Sequence, residues 1–122
     1  MNPKQFLQIG GAVLAVVGVL GMVGVLGPTA EQSIFGEAWW FDNAENWAHL
    51  VLGIVALAAA FAIGASMQKT LVLLVGIVGV LVGLYGFVSP TLLGANLQNP
   101  ADNILHIAVG LWALWAWKGG KM

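Results

Sequence analysis

The sequence contains no cysteine and no arginine, and four lysines and five acidic residues are the only charged side chains among its 122 residues. Without cysteine the chain forms no disulfide, has no thiolate nucleophile and offers no thiolate to a metal ion. With four cations and a net charge of -1, it lacks the basic surface that binds nucleic acid phosphates. We therefore exclude nucleic acid as a partner, and any cofactor must be held by other groups.

Apolar residues make up most of the chain. The composition is 60% hydrophobic with a mean hydropathy of +0.92, well above that of an ordinary soluble domain. Four apolar stretches, at about residues 6–26, 43–67, 71–88 and 100–117, are each long enough to cross roughly 30 Å of hydrocarbon as a helix. Backbone groups in lipid must satisfy their own hydrogen bonds, so the sequence predicts an all-α, multi-pass membrane four-helix bundle. Residues 1–122 form one domain in this prediction, surrounded by the lipid bilayer.

The distribution of charge predicts the topology. The lysines fall before the first apolar stretch, between the second and third, and after the fourth, whereas the acids fall in the two remaining loops or at the helix starts beside them. Because cytoplasmic segments of membrane proteins are enriched in lysine and arginine, both termini are predicted to be cytoplasmic. The residues concerned are Lys4, Lys69, Lys118 and Lys121 on one side, and Glu31, Glu37, Asp42, Glu45 and Asp102 on the other.

An internal repeat relates residues 1–67 to residues 70–117. Aligning His49 with His106 also matches Ala44 with Ala101, Glu45 with Asp102, Asn46 with Asn103, Leu50 with Ile107, Gly53 with Gly110 and Leu57 with Leu114. Upstream, the segment that starts at Gly21 aligns with the one that starts at Gly83. Since each half holds two spans, we predict two tandem helical hairpins related by a pseudo-two-fold axis along the membrane normal.

Local signals predict how the helices begin. Asp42 with Glu45, and Asn99 with Asp102, have the spacing of an N-cap residue and the acid three positions later. Pro100 occupies the favoured first helical position. In the first long loop, the spacing of Thr29 and Gln32 predicts a short amphipathic helix lying on the bundle.

Helix capping does not explain the residues that follow on the same face, Asn46, His49 and Gly53 in one half and Asn103, His106 and Gly110 in the other. One interpretation is packing, because small residues bring membrane helices together and asparagine and histidine bond between them. It predicts a structural or accessory membrane subunit that packs through glycine-rich helix faces and self-associates or docks on a larger membrane complex.

The second interpretation makes His49 and His106 metal ligands of a tetrapyrrole. Two neutral imidazoles on facing helices suit the axial positions of haem b, and a chlorophyll-type pigment takes one histidine each. Gly53 and Gly110 then leave room for the macrocycle. No nucleophile, base and orienting group can be assembled from the few polar residues in the spans, so we do not expect an enzyme under either interpretation.

The paired Asn-x-x-His-x-x-x-Gly helix starts, in a short chain with four spans, resemble those of small bacterial integral membrane proteins of uncharacterised function. The resemblance covers nearly the whole chain. It implies a multi-pass protein of the bacterial cytoplasmic (inner) membrane. It implies no activity, and it leaves both interpretations of the histidines open.

Overall fold

A computed structural model describes residues 1–89, 91–92, 95–96 and 100–119. Four long helices account for most of these residues, which confirms the predicted helical class and helix number. They are α1 (Pro3–Met22), α2 (Asn43–Ala62), α3 (Ala65–Val88) and α4 (Pro100–Gly119). Two 3₁₀ turns, Ala30–Gln32 and Gly36–Ala38, lie between α1 and α2, and a two-residue antiparallel pair, β1 (Thr91–Leu92) with β2 (Ala95–Asn96), precedes α4.

Helix α1 ends four residues earlier than predicted. The amide groups of Val25 and Leu26 both turn back to the carbonyl oxygen of Leu20, at 3.2 and 3.0 Å. Gly24 makes this turn with φ +86, a conformation that glycine adopts without steric cost. The predicted amphipathic helix that follows is replaced by the two separate 3₁₀ turns.

The boundary between α2 and α3 also differs from the prediction. Residues 66–69 are predicted to form the end of the second span and the linker after it, but they lie in the first turns of α3. Gln68 is buried and its Nε2 donates to the carbonyl oxygens of Ala59 and Ala60, at 3.2 and 3.0 Å. The last carbonyl groups of a helix have no donor within that helix. Gln68 supplies one, and only Ile63 and Gly64 separate α2 from α3.

Close backbone approach holds the helices together in two pairs, α1 with α2 and α3 with α4. A Cβ atom built on Gly18 would lie 2.7 Å from the backbone nitrogen of Leu50. In the other pair, one built on Gly83 would lie 2.7 Å from the carbonyl oxygen of Asn103. These distances are shorter than a side chain tolerates, so glycine allows the helix backbones to touch.

These contacts also give the register of the two pairs. Gly18 faces the carbonyl oxygen of Asn46 as Gly83 faces that of Asn103. Gly18 is therefore the counterpart of Gly83, and the alignment that matched Gly21 with Gly83 is three residues out of register. The glycines of the first span recur every three residues, so sequence matching had several registers to choose from.

A small apolar core lies at one end of the bundle, which we call the lysine end because Lys4 and Lys69 lie there. Its buried members are Phe6, Leu7, Ala59, Ala60, Val72, Ala113 and Ala116. The ring of Phe6 meets that of Trp112 edge-on at 4.7 Å. Lys4 Nζ lies 5.9 Å from the centre of the Phe61 ring, and Lys69 Nζ lies equally far from the Trp117 ring.

Large apolar side chains are exposed on all four helices. Examples are Val13, Val16, Leu52, Ile54, Phe61, Leu74, Val78, Leu81, Ile104 and Trp115. By length and composition, α1, α2 and α3 could each cross a membrane. The chain is therefore compatible with a membrane protein, and α4 is not among the helices that meet these criteria in the described part of the chain.

Candidate functional site

Four polar side chains are buried at the opposite end of the bundle, which we call the acidic end. They are Glu45 and Asn46 in the first turn of α2, and Asp102 and Asn103 in the first turn of α4. Their exposed fractions are 4%, 0%, 1% and 3%, respectively. Buried charged groups are rare unless they are paired, so this cluster is the main candidate for a functional site.

The start of α2 positions the first carboxyl group. Asp42 Oδ1 accepts from the Glu45 amide at 2.9 Å, and Glu45 Oε1 accepts from the Asp42 amide at 3.4 Å. This reciprocal capping box is the predicted one. In the second half, Pro100 begins α4 as predicted, whereas the predicted cap, Asn99, lies outside the described residues.

Capping uses only one oxygen of Glu45, and the rest of its carboxyl group faces α4. The Glu45 and Asp102 carboxyl groups lie within hydrogen-bonding reach of each other. Trp39, in the loop before α2, donates its Nε1 hydrogen to Asp102 Oδ1 at 3.1 Å. The acidic end therefore joins the two helix pairs and the first loop through polar contacts.

The two asparagines pack against the partner helix of their own pair. Asn46 Nδ2 donates to the carbonyl oxygen of Phe41 at 3.5 Å. A Cβ atom on Gly21 would overlap Asn46 Oδ1, and one on Gly86 would overlap Asn103 Oδ1. Neither amide oxygen has a hydrogen-bond partner among the described residues. Glycine thus provides the space into which each amide fits.

The two histidines lie one turn further along α2 and α4. The His49 ring meets the Phe41 ring edge-on, with centroids 4.9 Å apart. His49 is close enough to His106 for the charge of one to act on the other. The Nδ1 atom of each ring is buried and has no hydrogen-bond partner within the described structure. No direct bond joins the two imidazoles among the described contacts, and their role as a ligand pair stays a prediction.

Gly53 and Gly110 lie against the backbone of a neighbouring helix. A Cβ atom on Gly53 would lie 2.5 Å from the nitrogen of Ala15, and one on Gly110 would lie 2.7 Å from the nitrogen of Val80. Each glycine thus brings its helix against the neighbouring one in the same pair. Of the two interpretations of these glycines, the contacts support helix packing.

An apolar cavity lies between the histidines and the lysine end. Its volume is about 170 Å³, smaller than the roughly 300–1,000 Å³ of small-molecule pockets. All four helices contribute to its lining, with residues such as Leu14, Leu52, Ala56, Val75, Val109 and Trp112. Within the described residues, no three histidine, aspartate or glutamate side chains are grouped to hold a metal ion.

The contact between Glu45 and Asp102 was not anticipated from the sequence. Capping spacing explained both acids locally, so neither was assigned a partner. The repeat contained the missing signal, because it gives the two acids equivalent positions on equivalent helices. Both acids therefore lie in the first turn of their helices and are buried at the same end of the bundle.

Comparisons of the chain with protein-family models, with curated proteins and with solved structures find no match. The class of the protein therefore rests on its own structure. That structure is a four-helix chain with apolar side chains on its helix surfaces and a buried cluster of carboxyl, amide and imidazole groups at one end. Its resemblance to small bacterial membrane proteins stays a prediction.

Proposed function

We propose that the protein is an integral membrane protein whose four helices form a bundle of two tandem hairpins. The observation that supports this proposal most strongly is that polarity is distributed in the opposite way to a soluble protein. Apolar side chains are exposed along the helices, while four polar side chains are buried, Glu45, Asn46, Asp102 and Asn103. A surface of this kind is expected in contact with lipid. In this proposal α4 supplies the fourth crossing, with Asp102 at its outer end.

The separation of charge supports an orientation with both termini in the cytoplasm. Lys4 and Lys69 lie at the lysine end, whereas Glu31 and Glu37 lie in the loop that packs on the acidic end. By the preference of lysine for the cytoplasmic side, the lysine end faces the cytoplasm. We place the protein in the bacterial inner membrane on the resemblance described above.

The matching contacts of the two helix pairs support an origin by duplication. Asn46 packs on Gly21 as Asn103 packs on Gly86. Gly53 meets the backbone of α1 as Gly110 meets that of α3. Repeats of this kind are common in membrane proteins and place equivalent residues about one axis.

For the activity, we propose a structural or accessory subunit that self-associates or docks on a larger membrane assembly. The glycine contacts described above are made within each pair, so a neighbouring protein would meet the remaining apolar surface. Three large apolar side chains in the first loop and the first turns of α2 are exposed, Ile34, Phe35 and Trp47, with exposed fractions of 70%, 52% and 60%. Aromatic and apolar side chains of this kind favour docking at a membrane interface.

Native mass measurement after extraction in mild detergent tests this role. We expect an assembly larger than one chain, because these exposed side chains offer an apolar contact to a second copy or to a larger complex. Phe35→Ser should shift the population towards monomer, whereas Met67→Ser, an exposed site near the lysine end, should leave it unchanged. A native protein that is only monomeric and copurifies with no partner would contradict the proposal.

The histidines serve helix packing in this proposal. We expect His49→Gln or His106→Gln to lower the free energy of unfolding by only about 1 kcal/mol, because neither Nδ1 atom has a hydrogen bond to lose among the described residues and glutamine can satisfy its own polar groups across the helix interface. Ala44→Gln, at an exposed position one turn earlier on α2, is the control and should cost less. The purified protein should be colourless when made in a host that synthesises haem and chlorophyll. A stoichiometric pigment band that either histidine substitution abolishes would establish the tetrapyrrole alternative instead.

A further inference from the structure

The two helix pairs are joined differently at their two ends. Towards the lysine end, α1 packs against α3 and α4, and the short connection of Ile63 and Gly64 links α2 to α3. At the acidic end, the connection between α2 and α4 is polar, because it consists of the Glu45 and Asp102 carboxyl groups. Trp39 adds a second polar link by donating to Asp102.

A contact between two carboxyl groups depends on a proton. An ionised carboxylate only accepts hydrogen bonds, so one of the two groups must be protonated to donate. If both groups lose their protons, two like charges are buried side by side and repel each other. The same contact is therefore attractive with one proton and repulsive with none.

We propose that Glu45 and Asp102 form a proton-dependent latch between the two helix pairs. With one proton on the pair, the latch is closed and the acidic ends of α2 and α4 are held together. When that proton leaves, repulsion separates them. This inference goes beyond the accessory role, since it holds whether the protein acts alone or in an assembly.

Hydrogen bonds reach both carboxyl groups from outside the pair. Trp39 Nε1 donates to Asp102 Oδ1 at 3.1 Å, and the Asp42 amide donates to Glu45 Oε1 at 3.4 Å. The latch therefore requires one proton on the pair and does not depend on which of the two carboxyl groups carries it.

The other titratable groups around the latch are few. His49 and His106 lie one turn away on the same two helices. Helices α1 and α3 contribute Lys4 and Lys69, at the lysine end, and Tyr85, on an exposed surface. Glu31 and Glu37 are exposed in the first loop, and the sequence from Ser89 to Asn99 contains no titratable side chain. Substitution of the carboxyl groups separates their response to pH from that of these neighbours.

A distance measurement between spin labels tests the latch. Trp47 on α2 and Ile104 on α4 are exposed, at 60% and 59%, and the chain has no native cysteine. Labelled cysteines at these two positions report the separation of the helices at the acidic end. In lipid nanodiscs, we expect the distance to increase by roughly 2 Å between about pH 5 and about pH 10, the scale of helix shifts in known switches.

Amide substitutions identify the groups responsible. Glu45→Gln keeps a donor for Asp102 at every pH, so the short distance should persist across the range. Asp102→Asn should also keep the distance short at every pH. This second variant tests the latch if Glu45→Gln does not fold. Glu37→Gln, an exposed acid of the loop, should leave the pH response unchanged. A native protein whose distance is constant with pH would overturn the latch, as would a response that survives substitution of Glu45 or Asp102.

Discussion

Substituting alanine for Gly53 or Gly110 is expected to lower the free energy of unfolding by about 1–3 kcal/mol, the usual cost of overfilling a packed contact. A methyl group on Gly53 would lie 2.5 Å from the backbone nitrogen of Ala15, and one on Gly110 would lie 2.7 Å from that of Val80. The obstructing atoms belong to helix backbones and cannot rotate away. The helices of a pair would have to separate, which would weaken the contacts along both.

Reversible denaturation of the detergent-solubilised protein measures this effect. Gly10→Ala is the matched control, because Gly10 also lies inside a helix and a Cβ atom there would come no closer than 3.7 Å to another side chain, the Phe6 ring. It should leave the stability unchanged or slightly raised, because alanine favours a helix more than glycine does. The Gly53 and Gly110 substitutions fall in different helix pairs, so their effects should add. Equal stability of all three variants would contradict the close backbone contacts.

The proposed orientation predicts an all-or-none labelling pattern in intact cells. A cysteine that replaces Glu37 should react with a membrane-impermeant thiol reagent, whereas one that replaces Lys69 should not. Both side chains are exposed in the structure, so access is decided by the side of the membrane. The native chain contributes no background because it has no cysteine.

Permeabilised cells provide the control for this experiment, since both cysteines should then react. The opposite pattern in intact cells would reverse the orientation. Reaction of both positions in intact cells would show that Glu37 and Lys69 lie on the same side of the membrane, which contradicts a hairpin of two crossing helices.

The starts of α2 and α4 were predicted correctly because neighbouring residues determine them. The capping box of Asp42 and Glu45 depends on a spacing of three residues and on the side chains alone. The start of α4 at Pro100 follows from the fixed φ of proline and its missing amide hydrogen. Helix existence followed similarly from long apolar runs without breakers.

Two polar contacts that depend on another helix were missed. Gln68 was assigned to a linker because it is polar, yet it is buried because two carbonyl groups of α2 need a donor. Glu45 and Asp102 were assigned only to capping because their contact spans two helix pairs. Both cases involve a polar side chain whose partner lies on a different helix, which composition and periodicity do not report.

The glycine contacts have a mechanical consequence. Because backbone meets backbone within each pair, we expect each helix pair to move as a rigid body. Its length is about 30 Å, that of the 20 residues of α2. The hinge for a rotation of one pair against the other lies where Gln68 hydrogen-bonds the end of α2 to α3. A rotation of about 5° at this hinge moves the far end of the helix pair by roughly 2.5 Å over that helix length. Such a displacement is enough to separate the carboxyl groups of Glu45 and Asp102, while the residues at the hinge barely move.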